Sequence, residues 1–212
     1  MSNPESFINE VTEEVRRDKL YALMRRYGWI GVVAVVAIVG GAAFNEWRKI
    51  TTRTAAEALG DAVLSAISVE AAAARAEAIA GVAAEGDAAA VLKLLSAAEA
   101  EGEAGRPVLE SVAADASLSR IYRDLATLKL VLMPGAGDAD ARIAVLEPLV
   151  TAGAPYRLLA EEQLALAYLD KGETQEALDR LQQIWLDEQG TTALRRRAGE
   201  LIVALGGTPD GA

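Results

Sequence analysis

The sequence predicts an all-α protein: an N-terminal amphipathic helix, one transmembrane helix, and then helical hairpins stacked as an α-solenoid. Three observations carry this. Residues 28–44 form an uncharged apolar run. Apolar residues in the C-terminal half recur at spacings of three and four, the period of a helix face. Nowhere is there sustained alternation, or a hairpin dipeptide between β-branched runs, to mark strands.

The apolar run extends from Gly28 to Phe44 and includes Trp29, Ile30, Gly31, Ala37, Gly40 and Gly41. Arg25 and Arg26 precede it, and Glu46, Arg48 and Lys49 follow. The 21 residues from Tyr27 to Trp47 rise roughly 30 Å as a helix, the thickness of a bilayer hydrocarbon core. Tyr27 and Trp29 fall at one interface, Phe44 and Trp47 at the other, as in an aromatic belt. Seven Val or Ile residues would favour a strand in water, but in lipid an isolated run must satisfy its own backbone and is helical. Two other readings compete. Gly41-Ala42-Ala43 offers a cleavage site for a signal peptide, and the run could be a buried core segment. The span is preferred, because a leader with five acids differs from a signal peptide's positively charged start. Ala37 and Gly41 make one small-xxx-small pair beside Gly40, for which a plain anchor is the preferred reading.

Before the span, residues 1–27 form a tail. Asn3-Pro4-Glu5 is a helix-start signal, and Ile8, Val11 and Val15 then share a face with Phe7 alongside. An amphipathic helix over 4–24 is expected, lying on the membrane, docked on a partner or simply solvated. The five Lys/Arg of the tail, against Arg48, Lys49 and Arg53 after the span, place the tail in the cytoplasm. In a bacterium the domain would then face the periplasm from the inner membrane.

Net charge is −10, and residues 1–45 balance five acids with five bases, so the whole excess lies beyond them. Such a domain repels nucleic acid, and no nucleic-acid partner is expected. There is no cysteine and no histidine, which removes disulfides, thiolate and imidazole metal sites, and histidine-activated nucleophiles. Asp138 and Asp140 lack the further ligands of a calcium loop. Ser111, Ser117 and Ser119 have no activating partner in sequence. Arg195-Arg196-Arg197 is read as a solvated face or a contact with an acidic partner. No catalytic residue, cofactor, metal or small-molecule substrate is expected.

Residues 45–117 are an alanine-rich connector and first hairpin; alanine is 20 of the 47 residues from Ala55 to Glu101, which favours helix but marks faces poorly. Helices are expected over 71–85, ended by Gly86, and over 87–101, with a short one near 108–114. Leu59, Val63 and Ile67 stripe a helix leaving the membrane. Residues 118–206 carry the sharper pattern: helices at 119–132, at 139–152 with Pro148 bending it, at 156–171, at 174–188 and at the C-terminal end, before a flexible 207–212. Aligned on Gly172, the residues Leu164, Ala165, Tyr168, Gly172, Ala177 and Leu181 resemble the signature of a tetratricopeptide repeat. The usual tryptophan position holds Glu161 and the closing proline position Gln189. Ala141 precedes Ala177 by 36 residues, consistent with a preceding hairpin, and Gly86 is matched to Gly172 in an earlier one. Repeat geometry puts Leu159, Glu162, Leu166, Leu169 and Asp170 on a groove.

Three stretches together carry a family resemblance. They are Ser6-Phe7-Ile8-Asn9-Glu10-Val11-Thr12-Glu13-Glu14-Val15-Arg16-Arg17-Asp18-Lys19, then Arg26-Tyr27-Gly28-Trp29, then Leu164-Ala165-Leu166-Ala167-Tyr168-Leu169-Asp170-Lys171-Gly172. The chain resembles the tetratricopeptide-like single-pass membrane proteins that include the YfgM-type ancillary subunit of the bacterial Sec translocon, in its alphaproteobacterial form. The alanine-rich middle and the segment 105–117 match least. The resemblance implies a cytoplasmic tail, a periplasmic repeat domain, and association with translocon components and periplasmic chaperones. It implies no catalytic residues. An accessory or assembly subunit of another inner-membrane complex, such as a respiratory one, is the alternative expectation.

Overall fold

The computed structural model describes the backbone of residues 4–210, and the side chains of Tyr21 and of residues 24–210. The expected cap at Asn3 and apolar face of Phe7, Ile8, Val11 and Val15 lie outside what is described. Among the described residues there are nine α-helices, two short 3₁₀ segments and no strand. The chain divides into two compact units, one up to Ala58 and one from Leu59 onward.

The first unit is helical from Pro4, where α1 (Pro4–Ile67) begins; the helix passes without a break through the expected boundaries at 27 and 44. Every side chain from Met24 to Ala58 is exposed, including Trp29, Val36 and Ile38. A helix this apolar and this uncovered is long enough to cross a membrane. Phe44 and Trp47 stack with ring centroids 6.0 Å apart. After them, Thr51, Thr52 and Thr54 turn their hydroxyls back to carbonyls three or four residues earlier. Arg53 Nε donates to Glu57 at 2.7 Å, one helical turn on.

The second unit begins with the end of α1. It continues with α2 (Ala72–Ala80), α3 (Gly86–Glu99), α4 (Arg106–Ala114), α5 (Arg120–Leu132), α6 (Ala139–Leu146), α7 (Arg157–Lys171), α8 (Thr174–Leu186) and α9 (Thr192–Ala204). Helices pack chiefly against their neighbours in sequence. Ion pairs fix several directions. Arg75 near the start of α2 holds Glu99 at the end of α3 at 2.6 Å, and Arg142 in α6 holds Asp170 late in α7 at 2.6 Å. These neighbours therefore run antiparallel.

Two helices differ from expectation. The one predicted over 71–85 stops at Ala80, because Val82 and Ala84 leave the helix to pack on Ala66, Ile79 and Leu92. Gly86 therefore opens α3 instead of ending α2, and it is not the counterpart of Gly172. The one predicted over 139–152 is α-helical only to Leu146 and becomes 3₁₀ over Glu147–Val150. Pro148 has no N–H for the α-helical ladder, and the chain tightens there.

Buried residues fall into four clusters that follow one another along the chain. Ala66, Ile79 and Leu92 join α1, α2 and α3. Ala90, Leu94, Leu109, Val112 and Ala126 join α3, α4 and α5. Leu128, Leu146, Leu149, Ala160 and Leu164 join α5, α6 and α7. Ala165, Ala177, Leu181, Ile184, Leu194, Ala198 and Ile202 join α7, α8 and α9. Each of α3, α5 and α7 thus faces two clusters, which is why alanine recurs at their crowded positions. Leu181 is fully buried in the last cluster, whereas Leu186 is 59% exposed at the end of the same helix. Leu181→Ala should lower the unfolding free energy by about 2–5 kcal/mol, while Leu186→Ala stays within about 0.5 kcal/mol of wild type, measured by urea denaturation.

Candidate functional site

The hairpin α7–α8 holds the repeat-like residues, and the structure gives each a distinct task. Leu164 is fully buried in the cluster shared with α5 and α6, and Ala165, one residue on, is fully buried in the next cluster with Ala177 and Leu181. Tyr168 touches both clusters and bridges them. The alanines admit close approach of α7 to α8. Gly172 ends α7 in the left-handed conformation with φ 85°, its N–H bonded back to Leu169 and the next N–H to Tyr168. That closure is a glycine C-cap, and a side chain there would be strained.

At the positions where the signature departs, charge replaces bulk. Glu161, where a tryptophan was the expected type, is only 5% exposed, and Arg180 of α8 donates to it at 2.9 Å. Arg180 also lies 5.9 Å from the centre of the Tyr168 ring. Burial works against the Arg180 charge, yet its bond to Glu161 leaves the pKa raised. Glu162 is 7% exposed and accepts two hydrogen bonds from Arg197 of α9, at 2.8 and 2.9 Å. Successive glutamates on α7 therefore bind the next two helices, one each. At the closing position, the Gln189 N–H donates to the Asp187 carboxylate at 2.8 Å and turns the chain toward α9.

The five groove candidates do not form one open strip. Leu159 is exposed beside a shallow cleft whose walls include Tyr156, Gln189 and Leu194. Glu162 is taken up by Arg197, Leu166 is half-buried, and Leu169 packs on the α7–α9 cluster. Asp170 is exposed but paired with Arg142. Lys171, next to it, is held by Glu173 at 2.8 Å and Asp140 at 3.0 Å, and these bonds raise its pKa. Asp138 serves as the cap of α6 through the Ala141 N–H at 2.9 Å. Among the described residues no group of three acidic side chains is placed to hold a metal.

A recurring contact escaped the sequence reading. Arg106, Arg120 and Arg157 are each the first residue of their helix, a poor place for a cation beside the positive end of the helix dipole. Each reaches the C-terminal end of the following antiparallel element. Arg106 donates to the Pro134 carbonyl 28 residues ahead at 2.6 Å. Arg120 donates to the Pro148 carbonyl and the Thr151 hydroxyl at 3.1 and 3.0 Å, the latter 31 residues ahead. Arg157 donates to Asp187, 30 residues ahead, at 2.6 Å. The neighbour's negative end accepts what the arginine's own helix disfavours. Three arginines opening helices, at positions otherwise suited to acids, were the available signal.

A cleft of about 710 Å³ lies between α8, α9 and the segment that follows α9, with Trp185, Arg195, Gly199 and Pro209 in its walls. Gly199 is there for space: a Cβ on it would stand 2.9 Å from Trp185 Cζ3. No protein-family model matches this chain, and no curated protein and no solved structure matches it either.

Two measurements check the electrostatic ties. Arg197→Met should destabilise the domain by leaving Glu162 buried and unpaired, and adding Glu162→Gln should recover part of the loss in a double-mutant cycle. Asp187 is held below the ordinary aspartate range by its hydrogen bond from Arg157, with the Gln189 N–H adding to it. Its pairing therefore stabilises fully above pH about 4 and is lost as pH falls through the lowered pKa. The stability gap between wild type and Asp187→Asn should accordingly be constant near neutrality and close in acid, followed by denaturant melts at several pH values.

Proposed function

We propose that this chain is a membrane-anchored, tetratricopeptide-like adaptor with no catalytic activity of its own, which binds other proteins on the periplasmic face of a bacterial inner membrane. Its site of action in this reading is the Sec translocon with its chaperones. What carries the proposal is the exposure of every side chain of the apolar stretch Gly28–Phe44. Water penalises such a surface, and lipid removes the penalty. The seven Val and Ile residues of the stretch together favour insertion by roughly 2–4 kcal/mol. Five Lys/Arg in the tail, Arg25 and Arg26 among them, against Arg48, Lys49 and Arg53 just after the span, favour a cytoplasmic N-terminus.

The sequential clusters support the repeat half of the proposal. Each shared helix has both faces occupied, and an array built this way presents a long surface for its size. Six signature residues in one hairpin and arginine clips at comparable spacing in two more pairs agree with stacked units. The acidic surplus of the domain suits protein partners and a soluble surface next to anionic headgroups.

Fractionation tests the anchor. The chain should sediment with membranes and resist carbonate extraction. Val36→Arg, which costs about 2.5–3.5 kcal/mol at mid-membrane, should move much of it to the supernatant. Recovery of the unaltered chain in the soluble fraction defeats the proposal. Purification in mild detergent with mass spectrometry then names the partner: translocon subunits and chaperones support the reading given, whereas respiratory subunits replace it with an assembly role. A cytoplasm-only reporter active at the C-terminus reverses the orientation.

A further inference from the structure

The cleft at the end of the domain differs from the rest of its surface. Its floor is apolar: the Trp185 indole set against Gly199, the Pro209 ring, and Val203, which is 61% exposed. Its rim is basic. Arg195 and Arg196 line it on the face of α9 next to Thr192, and Glu200 is the one acid in its lining. Arg196 meets Glu200 only at 3.6 Å with both side chains largely exposed, and among the described residues Arg195 makes no ion pair. Both arginines sit on a domain whose residues from 46 onward carry the entire charge of −10. A positive rim retained against that background repels neighbours of its own sign and selects acidic ones.

The third wall shows how an extended chain is held here. The Gln182 side chain donates to the Thr208 carbonyl at 2.7 Å and accepts from the Asp210 N–H at 3.1 Å, so one amide satisfies both backbone groups. Trp185 Nε1 donates to the Asp210 carbonyl at 2.9 Å. The segment Gly207–Asp210 is thereby fixed along α8 and keeps the cleft open between itself and α9.

We propose that this cleft is a docking site for a partner's peptide segment in which bulky apolar side chains alternate with carboxylates. The apolar side chains enter between Val203, Trp185 and Pro209, and the carboxylates meet Arg195 and Arg196. This deepens the adaptor reading and rests on it for the ligand being a protein. Arg197, which looks equivalent in sequence, has no part in it, because Glu162 already holds it.

The test uses the full chain in phosphatidylcholine nanodiscs and a fluorescein-labelled, amidated dodecapeptide alternating Leu or Phe with Glu, read by anisotropy against empty discs. The peptide should bind, and the same peptide with Lys for Glu should not. Charge reversal by Arg195→Glu with Arg196→Glu should weaken the acidic peptide about tenfold or more and transfer binding to the Lys peptide. Val203→Asp should weaken the acidic peptide with the arginines intact, and circular dichroism should show unchanged helicity for each variant. Equal binding of both peptides, binding no greater than to empty discs, or indifference to charge reversal overturns the proposal. So does self-association abolished by Val203→Asp, which would make a second copy the occupant. If the peptide fails while partners still co-purify through other surfaces, the cleft is refuted and the adaptor reading stands; a chain recovered as soluble refutes that reading instead.

Discussion

No helix of the second unit can be removed without uncovering a neighbour, because the core is divided into successive clusters and α3, α5 and α7 each serve two. A single hairpin would leave one apolar face in water. The residue types follow from this constraint. The buried apolar positions of these shared helices are alanine or leucine, neither of them β-branched, as with Ala90 and Leu92 on α3, Ala126 and Leu128 on α5, and Leu164 and Ala165 on α7. Tyr168 spans the boundary between clusters, with its ring under Arg180. Each shared helix is thus held by two clusters and by no single contact alone.

Charge completes what apolar burial leaves open. Burying Glu161 and Glu162 costs solvation, which their guanidinium partners offset only with good geometry. Both pairs have it, with bonds of 2.8–2.9 Å. Their value is registry as much as stability. Arg180 and Arg197 lie on different helices, so adjacent glutamates specify which face of α7 meets α8 and which meets α9. The arginines that open α4, α5 and α7 act in the same way between helix ends.

Much of this was legible in the sequence, for identifiable reasons. Ile121, Leu125, Leu128 and Leu132 step at helical spacing, and α5 ends at Leu132, just before Pro134 and Gly135. Gly172 marked a turn that only a left-handed residue closes well. Alanine hid the boundaries of the middle region: in the stretch around Ala80 all faces look alike, so the exit of Val82 and Ala84 from the helix carried no periodic signal. The groove candidates were placed by spacing alone, which reports the face of a helix but not which long side chains on the next helix will cover it. Arg197 covers Glu162 from 35 residues away, beyond any local pattern. The cleft beside α9 depends on Gly199, a residue that reads in sequence as a helix weakness and serves in the fold as room for an indole.

The linear order of the clusters has a mechanical consequence. A force applied at the far end of the domain loads the α7–α9 layer first, since Leu194, Ala198 and Ile202 bind α9 only to its immediate predecessors. Loss of that layer exposes the Ala165 side of α7 without disturbing Val112 or Ile79. Tension at that end would therefore be taken up by α8 and α9 while the earlier clusters keep their contacts.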